Sequence, residues 1–228
     1  MCIRDRLKQE KYQVLEVKKG ERVKKAPLPF ITSTLQQEAS KVLNFSTQKT
    51  MRLAQQLYEG IDLKGAGTVG LITYLRTDST RISEEADAAA RDYIGTTYGA
   101  EYVAKTVAAK KSNAKIQDAH EAIRPSDITR TPQAMKESLS RDQFRLYQLI
   151  WKRFTASRMQ PAKYETTAVK IGAGEYCFTV STARVAFDGF RSVYVEAEEE
   201  KEESNVLVGH LSICLLYTSP SPRDRSLS

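Results

Sequence analysis

The sequence predicts an α+β protein with more than one domain, in which a helical region lies between two stretches of β structure. Apolar residues recur at helical spacing in several capped segments between about residues 30 and 160. Apolar and polar residues alternate before and after this region, which indicates strands. The 228 residues are enough for one large domain or two modest ones with buried cores.

Composition and charge narrow the classes of function. The formal net charge of +7 is compatible with a polyanionic partner, although it is weak support alone. No apolar run approaches the roughly 20 residues that span a membrane, and the N-terminus lacks an apolar signal-peptide core. The three cysteines form no Cys-x-x-Cys pair, so neither a zinc ribbon nor a disulfide framework is predicted. We therefore expect a cytoplasmic protein with no membrane partner.

The two ends of the chain differ in character from the rest. Residues 1–6 and 214–228 resemble translated sequencing-adapter sequence, and the second turns abruptly to Ser, Pro and Arg without periodicity. We expect both to be artefactual extensions, with a genuine disordered tail as the alternative. The basic excess survives their removal.

An exposed strand is predicted near the start, because residues 7–23 alternate apolar with charged side chains. The Ala-Pro-Leu-Pro sequence at 26–29 forces extended backbone and ends this segment. The first helix is expected to follow at once, with Ser33 or Thr34 as its N-cap and a glutamine reaching back.

Three further helices carry capping signals. The first is expected from Ser46 or Thr47 to Gly60, and the second after Ser83, where acidic residues favour a helix N-terminus. The third opens with a capping box at 140–143. Its apolar stripe is interpreted as core and consists of Phe144, Tyr147, Ile150, Trp151 and Phe154.

The connecting segments are read from turn residues and length. Residues 65–67 indicate a turn. Residues 69–75 are apolar and predict a short buried strand or extended segment, which ends at the polar residues 77–80. Residues 105–118 are polar, basic and aperiodic, which predicts a surface loop.

The last third of the sequence predicts β structure. Residues 166–171 and 175–180 alternate, and the Gly-Ala-Gly at 172–174 predicts a hairpin between them. A turn is expected at 188–189, and the acidic run at 196–203 is expected to be a solvated loop.

Tyr74 and Arg76 are the first candidate site residues. A phenol has a pKa of about 10, so as a nucleophile it needs help to lose its proton. A nearby guanidinium favours the phenolate and can also bind a phosphate oxygen. In an extended segment, positions 74 and 76 point to the same side and can face one phosphodiester. Most tyrosines near an arginine pack or stack, and that role stays open from these residues alone.

A second cluster combines His120, Glu121 and Arg124. A lone histidine is more often a core or surface residue, but the neighbouring carboxylate and guanidinium favour a functional role. No second His or Cys lies at metal-ligand spacing, so no zinc site is predicted. The Gly-Ala-Gly at 65–67 lacks the Lys and Ser or Thr of a phosphate loop, so ATP chemistry is not predicted.

Four segments resemble, in order, the motifs of bacterial type IA DNA topoisomerases. PFITSTLQQEA at 29–39 resembles a family signature. GLITYLRTDST at 70–80 resembles the active-site tyrosine motif, with Leu75 where the family usually has Met. QDAHEAIRPSD at 117–127 and the segment at 146–164 resemble a third and a fourth motif. Together these segments identify a resemblance across most of the chain.

The resemblance implies a chemistry for the two clusters. Tyr74 would attack a phosphodiester of single-stranded or negatively supercoiled DNA, leaving a 5′-phosphotyrosine and a free 3′-hydroxyl. Another strand would pass through the gap before resealing, which needs no ATP and relaxes negative supercoils. Arg76 would position the scissile phosphate and stabilise its charge. His120 would contact phosphate or handle a proton. The further residues implied as DNA contacts are Thr73, Asp78 and Arg124.

The resemblance also implies an architecture. Residues 7–29 and 161–213 would belong to the family's β arch domain, and 30–160 would form the helical domain that bears the active-site tyrosine. The family's Mg²⁺ ligands belong to a Toprim domain, and no strand-linked Asp-x-Asp pattern precedes Tyr74. We therefore expect an enzyme fragment that is inactive alone, needs Mg²⁺ and the Toprim domain as partners, and acts on the nucleoid in the cytoplasm.

Other readings stay open. A non-catalytic DNA-binding module on the same scaffold is the main alternative. A reverse gyrase shares these motifs but would require a helicase domain. A tyrosine recombinase would place its Arg and His residues before the tyrosine, whereas Tyr74 precedes His120 and Arg124.

Overall fold

The computed structural model describes residue 7 and residues 10–63, 65, 67–105 and 120–195. The predictions for both chain ends, for the acidic run at 196–203 and for nearly all of the loop at 105–118 lie outside these residues. The elements are β1 (Tyr12–Lys24), α1 (Thr32–Leu43), α2 (Thr47–Glu59), β2 (Ile61–Leu63), β3 (Gly67–Val69), α3 (Glu84–Thr97), α4 (Pro132–Met135), α5 (Arg141–Ser157), β4 (Ala162–Ala173) and β5 (Tyr176–Phe187), with single 3₁₀ turns at Ala100–Tyr102 and Gly189–Ser192.

The chain divides into two compact units, and the α+β class predicted from the sequence is confirmed. Among the described residues, one unit holds those up to Arg22 together with Tyr164–Val185. The other holds Val23–Lys163 and those from Ala186 onward. The first unit carries most of a three-stranded sheet in the order β1–β4–β5, and the second carries the helices.

The sheet follows the predicted strands with one correction. β1 is largely exposed, as its alternation with charged residues predicts. The turn between β4 and β5 lies at Gly174 and Glu175, and not at 172–174. Gly174 has a φ of 58°, a left-handed conformation that glycine adopts without strain. Gly172 stays within β4, so both strands are longer than predicted.

The expected N-cap of the first helix is wrong. Helix α1 begins at Thr32, and its N-cap is Ile31 rather than Ser33 or Thr34. The Thr34 hydroxyl acts from inside the first turn, where it accepts a hydrogen bond from the Ile31 N–H at 3.0 Å. Thr32 is drawn into the first turn because its backbone N–H donates to the carbonyl of Thr77, 2.9 Å away. This contact is long-range in sequence, so local capping signals did not contain it.

The other three capping predictions are confirmed. Ser46, Ser83 and Ser140 each accept a hydrogen bond from the backbone N–H three residues later, at 3.2, 3.4 and 3.3 Å. At the start of α5 the side chain of Gln143 returns the bond to the Ser140 N–H at 2.9 Å, which completes the capping box. These bonds satisfy N–H groups that have no partner within the helix.

Helix α5 forms the centre of the helical unit and packs on α1, α2 and α4. Most of its apolar stripe is core, as predicted, with Phe144 the partly exposed exception. The polar atoms of its buried aromatics are satisfied, since the Trp151 indole donates to the Ile128 carbonyl at 2.9 Å and Tyr147 donates to the Arg130 carbonyl at 2.6 Å. Burial raises the pKa of the Tyr147 phenol, so it stays a donor.

A partly buried ion pair joins the end of α5 to α3. Arg158, only 5% exposed, donates to a carboxylate oxygen of Asp87 at 2.9 Å. The other oxygen of Asp87 accepts from Arg91 at 2.6 Å. Burial raises the pKa of Asp87, but the hydrogen bonds from the two arginines outweigh it and hold the pKa below its ordinary value.

Replacing Asp87 with asparagine should therefore destabilise the protein in a pH-dependent way. At pH 7 we expect a loss of about 3 kcal/mol, because Arg158 is left buried without its counter-ion. A carboxyl with a lowered pKa stabilises the fold above its unfolded pKa of about 4 and loses this effect as the pH falls through its folded value. Urea unfolding between pH 7 and pH 3 should show the difference between wild type and Asp87→Asn narrowing in acid. A difference that stays constant over this range would contradict the assignment.

Candidate active site

The segment that follows β3 alternates between buried and exposed side chains, as an extended chain does. Tyr74 is 42% exposed, whereas Leu75 is 1% exposed. Tyr74 and Arg76 therefore share the solvent side, as the sequence predicts. The outward side chains are Tyr74, Arg76, Asp78 and Thr80, and the inward ones are Leu75, Thr77 and Ser79.

A short hairpin brings this segment back to the end of α2. β2 and β3 pair in antiparallel register, with Ile61 opposite Val69. Beyond the hairpin, the Leu71 N–H donates to the Leu57 carbonyl at 2.7 Å. A Cβ on Gly70 would lie 2.7 Å from the carbonyl oxygen of Tyr58, so only glycine fits at this approach. The hairpin therefore fixes the position at which the extended segment that carries Tyr74 begins.

Thr73 ties the segment to the chain around residues 122–125. Its hydroxyl donates to the Ala122 carbonyl at 2.8 Å and accepts from the Arg124 N–H at 3.0 Å. The Thr73 N–H in turn donates to the Arg124 carbonyl at 2.9 Å. A β-bridge between Ile72 and Pro125 extends this pairing by one residue. The backbone immediately before Tyr74 is therefore held against the segment at 122–125.

Thr32 ties the same segment to the start of α1. Its hydroxyl donates to the Leu75 carbonyl at 2.8 Å and accepts from the Thr77 N–H at 2.9 Å. Arg76 lies between these two anchored residues, so its backbone is fixed while its side chain is exposed. The three segments that carry the first three resemblance motifs meet through these threonines and through a bridge between Phe30 and Ile123.

Replacing Thr32 with valine should loosen this anchor with little change in shape. The Thr32 hydroxyl is part-buried, and its loss removes the acceptor to which the backbone N–H of Thr77 donates. We expect a loss of about 1–3 kcal/mol in the free energy of unfolding, measured by urea denaturation. The matched control is Thr96→Val, where an exposed hydroxyl donates only to the Asp92 carbonyl one turn back. Its effect should stay within about 0.5 kcal/mol, and equal losses in the two variants would contradict the anchoring role of Thr32.

Three aromatic rings meet at the exposed end of the segment. The ring of His120 stacks on Tyr74, with centroids 5.7 Å apart and planes inclined by 29°. The ring of Tyr58 approaches Tyr74 nearly at right angles, at 5.6 Å and 69°. The structure thus brings His120 to Tyr74, which the spacing of 46 residues alone did not predict. The contact of Tyr58 with Tyr74 was not predicted from the sequence.

Tyr74, Arg76 and Asp78 present polar groups to solvent. Within the part of the chain that the structure describes, none of these three side chains has a hydrogen bond or an ion pair. A phenol and a guanidinium on the same side of a fixed backbone are available to a common anionic ligand. The arrangement suits a phosphodiester, whose oxygens accept from arginine while its phosphorus faces the phenol.

Arg124 is placed differently from Arg76. Its guanidinium donates twice to one carboxylate oxygen of Glu121, at 2.9 and 2.7 Å, and once to the Pro125 carbonyl at 2.9 Å. A further contact of 3.4 Å reaches the Ser83 hydroxyl. These partners hold the loop that carries His120. The DNA contacts implied for Arg124 and for the internally bonded Thr73 stay predictions.

The described residues do not form a site for the Mg²⁺ that the family resemblance implies. Across residues 10–63, 67–105 and 120–195, no three His, Cys, Asp or Glu side chains come close enough to hold a metal ion. The acidic side chain nearest in sequence to Tyr74 is the lone Asp78. In the same ranges, no helix has the length and hydropathy to cross a bilayer.

Comparison with known proteins matches the chain to a family model and to solved structures. Residues 1–217 match a family model described as DNA topoisomerase. The solved structure of full-length topoisomerase I from Thermotoga maritima is similar to this chain, with 41% sequence identity and a TM-score of 0.74. The similarity covers 84% of this chain and 31% of that one, so the chain spans under a third of the solved relative's length.

Proposed function

The chain belongs to the bacterial type IA DNA topoisomerase family, and from this premise we propose that Tyr74 is the residue through which it breaks a DNA strand. The phenol oxygen attacks the phosphorus of a phosphodiester, and the bond from phosphorus to the 3′-oxygen breaks. The phenol loses its proton, and the leaving 3′-oxygen gains one. The products are a 5′-phosphotyrosine ester and a 3′-hydroxyl, and the reverse attack by that hydroxyl reseals the strand without ATP.

The observation that carries this proposal is that Tyr74 and Arg76 are both exposed on the same side of the extended segment, and that Arg76 has no partner among the described residues. Arg76 binds the non-bridging oxygens of the scissile phosphate and stabilises the charge that develops during attack. His120, stacked on the nucleophile's ring, contacts phosphate or carries the proton. Asp78, Thr73 and Arg124 are proposed to support the DNA backbone or the loops that contact it.

The full cycle is proposed to pass a second strand through the break and to relax negatively supercoiled DNA in the cytoplasm. In this proposal residues 30–160 form the domain that bears the tyrosine, and residues 7–29 with 161–213 form part of the arch. In this proposal the Mg²⁺ that would neutralise phosphate charge is held by a Toprim domain, as the family resemblance implies. The chain alone is proposed to bind DNA weakly and to cleave it poorly or not at all.

The experiment is an end-label test for a covalent adduct. The chain is mixed with purified Toprim domain, Mg²⁺ and a single-stranded oligonucleotide labelled at either its 3′ or its 5′ end, and the reaction is stopped with detergent. The proposal predicts labelled protein only with the 3′-labelled strand, because the 5′-phosphate stays on the tyrosine. Label transfer from the 5′ end would contradict the polarity. DNA binding without any adduct would favour a non-catalytic DNA-binding module.

A further inference from the structure

We infer that Tyr58 is a positioning residue, whose ring holds the Tyr74 ring in the orientation that presents its hydroxyl to DNA. The inference rests on the proposed function, because it concerns the same nucleophile. Its starting point is the nearly perpendicular ring contact between the two tyrosines, 5.6 Å between centroids. Aromatic pairs at this separation and angle attract each other through their quadrupoles and favour one mutual orientation.

Tyr58 is the fixed member of the pair. It lies in the last turn of α2, next to Leu57, which is completely buried. The carbonyl of Leu57 accepts from the Leu71 N–H, and the carbonyl of Tyr58 closely faces Gly70. The backbone at Tyr58 is therefore held against the extended segment that leads to Tyr74.

Tyr74 is the member that needs positioning. Its side chain is 42% exposed and its hydroxyl has no hydrogen-bond partner in the described part of the chain. An exposed tyrosine held only at its backbone samples several side-chain rotamers. The rings of Tyr58 and His120 are the two aromatic contacts that restrict it. Attack on phosphorus depends on orientation, so a less restricted ring lowers the rate.

A purely structural role for Tyr58 does not account for its placement. The face that α2 buries consists of other residues, and Tyr58 itself is 39% exposed. Removing its ring should therefore leave the free energy of unfolding nearly unchanged. Direct stacking on a DNA base is a different role, and it would lower DNA affinity rather than the cleavage rate.

The test compares Tyr58→Leu with Tyr58→Phe in single-turnover cleavage with Toprim domain, Mg²⁺ and a single-stranded oligonucleotide. Tyr58→Leu should lower the rate of adduct formation roughly three- to tenfold, with unchanged Kd and melting temperature. Tyr58→Phe keeps the ring and should stay within about twofold of wild type. Tyr12→Leu is the matched control, because Tyr12 is similarly exposed, at 37%, and contacts Phe178 in the sheet unit.

Three results would overturn the inference. They are a Tyr58→Leu variant as fast as wild type, a Tyr58→Phe variant as slow as Tyr58→Leu, and a loss confined to Kd. A second readout needs no activity: the Hα–Hβ couplings of Tyr74, measured by NMR on selectively labelled tyrosine. We expect one dominant rotamer in wild type and Tyr58→Phe, and averaged couplings in Tyr58→Leu. If even the wild-type chain forms no adduct, the proposed function fails, and these couplings still decide whether Tyr58 holds the ring.

Discussion

Replacing Tyr74 with phenylalanine should abolish the covalent attachment of DNA, a loss on the order of 10⁴-fold or more in adduct formation. The substitution removes only the attacking oxygen, and the ring remains to contact Tyr58 and His120. Because the hydroxyl has no partner among the described residues, the free energy of unfolding should change by less than about 0.5 kcal/mol. The measurement is the detergent-resistant protein–DNA complex, quantified beside the melting temperature of the same variant.

The control for this prediction is Tyr12→Phe. Tyr12 loses a hydroxyl that donates to the Leu7 carbonyl, so the chemical change is the same at a site on the sheet unit. Its adduct yield should match wild type. A Tyr74→Phe variant that still forms the adduct, with its fold intact, would move the nucleophile to another residue.

Replacing Arg76 with alanine should have the second-largest effect, a fall on the order of 10²- to 10³-fold in the rate of cleavage. The substitution removes the cation that binds the phosphate. In the wild type, the hydrogen bonds of Thr32 to Leu75 and Thr77 fix the backbone that carries this cation. Arg76→Lys should recover part of the rate, because lysine keeps the charge but not the planar fork that binds two oxygens. Single-turnover adduct formation at saturating oligonucleotide measures this effect apart from binding.

Arg52→Ala is the matched control for Arg76. Arg52 is an exposed arginine on α2, and it has no hydrogen bond or ion pair with another described residue. Its removal should change the rate by less than about twofold, since an exposed charge that does not contact the phosphate acts only through a screened field. Equal losses at the two positions would show that general charge, and not a local phosphate contact, sets the rate.

Three of the helix starts could be predicted, because their capping signals are local. The serine caps at Ser46, Ser83 and Ser140 follow from side chains within three residues of the groups they bind. The start of α1 could not be predicted, because it depends on Thr32 pairing with Thr77, 45 residues away. The short helix α4 was missed although Thr131 caps it and Pro132 opens it, a local signal that was present.

The site could be predicted in part. The period of two in an extended chain places Tyr74 and Arg76 on one side, and their exposure agrees with it. The meeting of His120 with Tyr74 has no local cause, so only the family resemblance pointed to it. Tyr58 was missed because its spacing fits the apolar face of α2. Its contact arises from the Gly60–Gly70 hairpin, which returns the chain to the helix end.

The most direct test of the central claim is to identify the residue that carries the DNA. The adduct is trimmed with nuclease, digested with trypsin and analysed by mass spectrometry. Tryptic cleavage after Lys64 and Arg76 gives the peptide 65–76, whose one tyrosine is Tyr74, whereas Tyr58 lies in the peptide 53–64. We predict the mass of a 5′-linked nucleotide on peptide 65–76. The same mass on peptide 53–64, or on any other part of the chain, would contradict Tyr74 as the nucleophile.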